Sequence, residues 1–121
     1  MQISIIIPTY NEAENIAALL THLQHAKTAV PFEIIVSDGG SEDDTLAIAS
    51  HLGVTAVKSP TKGRAAQMNY GASLSKGAVL YFVHADTKPP ATFATDIIEA
   101  LEQGFALGRY RTRFSSKKWL L

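Results

Sequence analysis

The sequence predicts an α/β fold: a mostly parallel, Rossmann-like sheet in the strand order 3-2-1-4 plus a further strand, with helices on both faces. Three observations lead there. Short, β-branched, nearly continuous apolar runs such as Ile3-Ser4-Ile5-Ile6-Ile7 read as strands buried on both faces. Segments with apolar residues at helical spacing alternate with these runs through short connections, which is the pattern of right-handed βαβ units. At 121 residues, with 46% hydrophobic and 18% charged side chains, the chain is long enough for one packed domain and too short for two.

Strand one, Ile3 to Ile7, is expected to end at Pro8. Asn11 with Glu14 three residues later reads as a capping-box start, and Ile16, Leu19, Leu20 and Leu23 then recur on one helical face, so a helix is expected to about Lys27. Phe32 to Ser37 forms strand two. Asp38-Gly39-Gly40 makes a turn, and Ser41, Asp43 and Asp44 enter a helix whose apolar face is Leu46, Ala49 and Leu52 and which Gly53 closes. Val54 to Val57 is strand three. An Ala-rich helix from about Gly63 to Leu74 precedes strand four, Val79 to Val83. Pro89 and Pro90 introduce a helix with Phe93, Ile97 and Leu101 on one face, ended by Gly104. From Phe105 to Phe114 arginines alternate with neutral and aromatic residues, which reads as a half-exposed strand, and Ser115 to Leu121 begins an element that the sequence does not complete.

Eleven basic and eleven acidic side chains cancel, so no nucleic-acid partner is expected. The stretch from Gly104 onward is locally basic, with Arg109, Arg111, Arg113, Lys117 and Lys118 and no carboxylate side chain; a peripheral contact with an anionic membrane surface is the reading it suggests. Absence of cysteine excludes disulfides and thiolate metal sites. Polar residues interrupt the N-terminal apolar run, and no segment approaches the ~20 apolar residues of a membrane span, so a cytoplasmic protein is expected.

Ligands of an open parallel sheet bind outside the carboxyl ends of its strands. Those ends carry Pro8-Thr9-Tyr10-Asn11-Glu12, Asp38-Gly39-Gly40-Ser41, Lys62-Gly63-Arg64 and His84-Ala85-Asp86. Tyr10 can stack on a planar base, and Asp38 on its glycine turn can accept hydrogen bonds from a base or sugar, or serve only as a turn residue. Lys62 and Arg64 bring positive charge for phosphates, or serve only as solvated residues of a Pro/Gly loop. Asp86 is a hard oxygen ligand for a divalent ion, and His84 two residues earlier shares its face if strand geometry persists. Glu42, Asp43 and Asp44 read as first-turn carboxylates that complement a helix dipole. Asn69 and Gly71 mark either the site or close helix packing. Neither GxGxxG nor GxxxxGK[ST] occurs, which disfavours a dinucleotide fold and a P-loop.

Taken together, the Ile3 to Ile7 run with PTYNEAENI, then EIIVSDGGSEDDT, KGRAAQMNYGA and VLYFVHADT, resembles the N-terminal nucleotide-binding half of family 2 glycosyltransferases with the GT-A fold. The GRAAQMNYGA and HADT segments are similar to those of arsenosugar-biosynthesis-type glycosyltransferases. The resemblance implies a nucleotide-diphosphate sugar donor, Mn²⁺ or Mg²⁺ as cofactor, and inverting transfer to an acceptor that the sequence does not identify. It implies donor-binding roles for Pro8, Thr9, Tyr10, Glu12, Asp38, Gly39, Ser41, Lys62, Arg64, Asn69, His84 and Asp86. Asp86 matches the metal-binding carboxylate of the family's DxD motif, and His84 stands where that motif has its first Asp. No residue matches the acceptor-activating base, so the expectation is an incomplete GT-A domain over residues 1–121 with the base in a C-terminal part. An uncovered sheet edge would then favour homo-oligomers. A non-catalytic nucleotide-binding or interaction module is the alternative.

Overall fold

The computed structural model describes residues 2–103 in full and, beyond them, the backbone of two short strands at 109–110 and 119–120. In chain order the elements are β1 (Ile3–Thr9), α1 (Ile16–Gln24), β2 (Phe32–Asp38), α2 (Thr45–His51), β3 (Thr55–Lys58), α3 (Arg64–Leu74), β4 (Val79–Phe82), α4 (Phe93–Glu102), β5 (Arg109–Tyr110) and β6 (Trp119–Leu120). The sheet runs β3-β2-β1-β4-β6-β5. Every pairing is parallel except that of β5 with β6. The expected order 3-2-1-4 is therefore present, and β6 extends it beside β4. Most of the basic stretch Arg109 to Lys118, and most of the Phe105 to Phe114 strand expected there, lie outside the described residues.

Alternation along β1 divides the core into two layers. Ile3, Ile5 and Ile7 join Leu19, Leu20 and Leu23 of α1, Ile34 and Val36 of β2, and Phe93 and Ile97 of α4 in the larger cluster. Ile6, Leu80 and Ala72 form a thinner one under α3. Helix α3 can lie this close because of Gly71, where an added Cβ would stand 2.7 Å from Ile6 Cγ2. On the thicker side Phe93 meets Phe32 edge-on at 5.5 Å and stacks on Tyr81 at 6.0 Å, which seats the start of α4 on the sheet.

Helix α1 ends at Gln24, short of the expected Lys27, and two further boundaries differ from the sequence reading for a physical reason. β1 continues through Pro8 to Thr9, with Pro8 registered against Ser37. Thr9 O accepts from Gly39 on the β2 side while Ile6 O accepts from Val83 on the β4 side, so Pro8 faces β4 beyond the last β1–β4 pair, Ile6↔Phe82. Its missing N–H therefore costs no ladder bond. Helix α1 begins at Ile16, not after Asn11, which sits in the left-handed region at φ 52°. That conformation comes from contacts with a distant loop, described below. The boundaries of β2, β3 and β4 fall within one residue of expectation, and α3 begins at Arg64 after Gly63.

The amino edge of the sheet is tied by a polar chain. Gly77 N donates to Ser4 Oγ at 2.8 Å, Ser4 Oγ donates to Glu33 Oε2 at 2.6 Å, and Lys76 N donates to the same carboxylate oxygen at 2.5 Å. The turn before β4 is thereby fastened to β1 and β2. The connections that follow β1, β2, β3 and β4 lie at the opposite edge.

Candidate functional site

At the carboxyl edge the β1 and β2 ends are joined first by Asp38. Its side chain is 0% exposed. Oδ1 accepts from Thr9 Oγ1 at 2.7 Å and Ser41 Oγ at 2.5 Å, and Oδ2 accepts from Gly40 N at 2.9 Å and Ser41 N at 2.6 Å. Four internal donors on two oxygens make this carboxylate the organiser of the glycine turn. It can reach a ligand only by exchanging one of these bonds.

Gln67 completes the floor, and the sequence reading did not single it out. It is 4% exposed on the sheet-facing side of α3. Its Nε2 donates to Thr9 O at 2.8 Å and to Ser37 O at 3.0 Å, and its Oε1 accepts from Gly63 N at 3.1 Å. One amide thus joins β1, β2 and the entry to α3. Gly39 makes room for it, since a Cβ there would lie 2.4 Å from Gln67 Oε1. The available signal was the spacing of Gln67 and Gly71, which puts a polar side chain on the face that the glycine marks as closely packed. Replacing Gln67 with leucine removes three hydrogen bonds while keeping most of the volume, and is expected to lower stability by about 1–3 kcal/mol. Urea unfolding checks this, and an unchanged midpoint would show that the amide is dispensable.

The rim is built from exposed groups. Tyr10 is 38% exposed after β1, and Lys62 Nζ, from the β3–α3 connection, stands 3.6 Å from its ring centroid. Arg64 Nη2 donates to His84 Nε2, which brings the α3 entry to the end of β4. The first turn of α3 holds no carboxylate and Gly63 offers no side-chain cap, so positive charge from Lys62 and Arg64 adds to the helix dipole. β4 ends at Phe82, and Thr87 N and Oγ1 both donate to His84 O, so His84 and Asp86 sit in a turn and not on a continuing strand. The strand argument for a shared face therefore does not apply. Asp86 is exposed beside a cleft of about 200 Å³ that Asn15, Leu19 and Thr87 also line. From α1, His22 Nε2 contacts Pro89 O and holds the loop that follows.

Glu12 is partly buried, with Oε1 accepting from Asn15 Nδ2 at 3.1 Å. Pro8 belongs to β1, and Asn69 lies within α3 two residues from Gln67. Glu42, Asp43 and Asp44 precede α2 and are not in its first turn. Asp43 accepts from Thr45 Oγ1, Thr45 N and Ala13 N. The Thr45 hydroxyl, with these backbone amides, holds the Asp43 carboxyl below its usual range against a smaller opposing effect of burial.

Among the described residues no three His, Asp or Glu side chains gather as a metal cluster. The donor set still suits a hard divalent ion that arrives with phosphates. Asp86 offers a carboxylate without a hydrogen-bond partner among the described residues, and such ions commonly take one protein carboxylate plus substrate oxygens. His84 fits less well as a ligand, because its Nε2 already accepts from a guanidinium.

The sheet order and the gathering of aromatic, cationic and acidic side chains at one edge define an α/β protein of the GT-A type. The model for glycosyl transferase family 2 matches residues 4–120, and the chain belongs to that family. It is 32% identical over 109 residues to a dolichol-phosphate mannosyltransferase of Pyrococcus furiosus, covering 86% of this chain and 31% of that protein. Glycosyltransferase AglE of Haloferax volcanii is 35% identical over 96 residues, with 72% of this chain and 31% of that protein covered. The chain thus spans about a third of the length of these curated relatives. Among solved structures, S. aureus TarS superposes with a TM-score of 0.73 at 28% identity, covering 85% of this chain and 33% of that one. Glucosyl-3-phosphoglycerate synthase from Mycobacterium tuberculosis, in complex with Mn²⁺, UDP and glucosyl-3-phosphoglycerate, gives 0.75 at 22% identity, covering 88% and 42%, a likeness of fold. No helix among the described residues is long and apolar enough to cross a membrane.

Proposed function

We propose that this chain is the donor-binding part of a family 2 glycosyltransferase, holding a nucleotide-diphosphate sugar at the carboxyl edge of the sheet. The observation that supports this reading is the pairing of Lys62 with Tyr10 and of Arg64 with His84 at the carboxyl edge of the sheet, beside a floor fixed by Asp38 and Gln67 and with Asp86 two residues beyond His84. Tyr10 presents a ring for the nucleobase. Lys62 and Arg64 neutralise the diphosphate, and Asp86 would hold a Mn²⁺ or Mg²⁺ ion against it. When bound, that ion supplies Lewis-acid stabilisation of the departing nucleoside diphosphate.

In inverting transfer an acceptor hydroxyl attacks the anomeric carbon, and a base must stand within hydrogen-bond reach of it. The floor and rim carboxylates have other tasks here: Asp38 holds a turn, Glu12 accepts from Asn15, and Asp43 binds two loops. Acceptor binding and deprotonation are therefore assigned to the portion of the full-length relatives that this chain does not span.

Isothermal calorimetry with UDP and GDP, with and without Mn²⁺, tests the reading. Binding of one nucleotide should tighten at least tenfold with metal, and Asp86→Ala should abolish the metal increment. Equal affinity with and without metal removes Asp86 from the site, and no binding of either nucleotide sinks the donor assignment.

A further inference from the structure

The ladder between β1 and β2 ends at the pair Thr9↔Asp38, closed by Gly39 N donating to Thr9 O at 2.9 Å. The wall of the pocket lies beyond that point, where the sheet no longer sets the register. Three consecutive amides after Tyr10 take over. Asn11 N donates to Ser41 Oγ at 2.7 Å, Glu12 N to Thr45 Oγ1 at 2.9 Å, and Ala13 N to Asp43 Oδ2 at 3.1 Å. One bond returns, from Glu42 N to Asn11 Oδ1 at 2.8 Å. These contacts hold Asn11 at φ 52°, a conformation that asparagine tolerates better than other side chains.

Thr45 is central to the arrangement. It is 0% exposed although it opens a helix, and its hydroxyl accepts from Glu12 N while donating to Asp43 Oδ1. Asp43 in turn spans from Thr45 to Ala13 with its two oxygens. The two loops that would flank the nucleoside, one carrying Tyr10 and the other Gly39 to Ser41, are locked to each other by side chains that need not touch it.

We infer that Thr45 and Asp43, with Asn11, are positioning residues for the nucleoside half of the donor pocket. The clasp fixes the Tyr10 ring relative to the glycine turn before any ligand arrives, so that binding does not have to order these loops. Arg64 opens α3 and is engaged by His84, outside the clasp, while Lys62 on the β3–α3 connection touches it only through the Tyr10 ring. The clasp therefore tunes affinity for the nucleoside far more than affinity for the diphosphate group.

This inference rests on the donor reading above, and the experiment separates the two. Calorimetry is run with UDP, GDP and inorganic pyrophosphate on the parent chain and on Thr45→Val, Thr45→Ser and Asn11→Gly. Thr45→Val should weaken the nucleotide that the parent binds by roughly tenfold, because binding must then order the two loops. Pyrophosphate affinity should stay within about twofold, and Thr45→Ser should restore nucleotide binding. Asn11→Gly keeps the backbone conformation and removes only the return bond, so it reports on the clasp if Thr45→Val fails to fold; a selective nucleotide loss of about threefold is expected. Equal losses for nucleotide and pyrophosphate would show a merely structural role and overturn the inference, as would unchanged nucleotide affinity. A parent chain that binds pyrophosphate and neither nucleotide overturns the donor reading and this inference with it.

Discussion

Asp38→Ala is expected to lower the unfolding free energy by roughly 3–5 kcal/mol, because hydrogen bonds to a charged group contribute about 1.5–3 kcal/mol each and several are lost together. Thr9 Oγ1, Gly40 N, Ser41 N and Ser41 Oγ would all lose their acceptor, and the carboxylate that gathers them is fully buried. Solvent could rescue the outer groups, since Gly40 and Ser41 are only partly buried, while Thr9 is sealed in. Asp38→Asn should cost less, as one side-chain oxygen remains to accept. Urea denaturation followed by circular dichroism ranks the two variants. A change of less than about 1 kcal/mol for alanine, the scale of an ordinary surface substitution, would show that the turn holds its shape without the carboxylate.

Gly77→Ala is expected to be comparably severe at the opposite edge. An added Cβ would stand 2.6 Å from Ser4 Oγ, 2.7 Å from Gln2 O and 2.8 Å from Ser4 N. Two of these are backbone atoms, one in the first strand and one just before it, and cannot rotate away. Relief requires moving the turn, which breaks the bond from Gly77 N to Ser4 Oγ and disturbs the Glu33 contacts that follow from it. Overpacking usually costs about 1–3 kcal/mol, and the lost bonds should raise this to about 3 kcal/mol or more. A thermal midpoint lower by roughly 10 °C or more is the expected readout for a chain of this size. A midpoint within about 2 °C of the parent would mean that the turn relaxes freely.

Much of the fold was legible because it rests on local patterns. The apolar runs at Ile3 to Ile7, Phe32 to Ser37 and Val79 to Val83 gave strands, their alternation with helices gave a parallel sheet, and the common strand order proved to be the one present. What was not legible depends on contacts between distant residues. The capping-box reading of Asn11 and Glu14 is locally sound, yet Ser41 and Glu42 engage Asn11 from about thirty positions away and delay the helix to Ile16. Asp43 read as a helix-dipole partner by the same local logic, and its bond to Ala13 is equally remote.

The site divides along the same line. Tyr10, Lys62, Arg64, His84 and Asp86 stood out because exposed charge and aromaticity after a strand is a compositional signal. Gln67 did not, because a lone amide in an Ala-rich helix resembles a solvated residue until its partners at Thr9 and Ser37 are known. Likewise, only the structure shows that the Nε2 of His84 is engaged by Arg64, which changes how its place in the HADT segment is read.

The separation of a buried, hydrogen-bonded floor from an exposed rim bears on how such a domain can diverge. Lys62, Arg64, His84 and Asp86 are all exposed and none belongs to either apolar cluster. Substitutions at these positions leave the packing of the sheet untouched, so a lineage can try new ligand preferences through them one residue at a time without passing through unfolded intermediates. Asp38, Gln67 and Gly77 allow no such exploration. Drift should therefore concentrate in the exposed residues proposed to meet the ligand, while the residues that resist change mark the scaffold and say little about which ligand is bound.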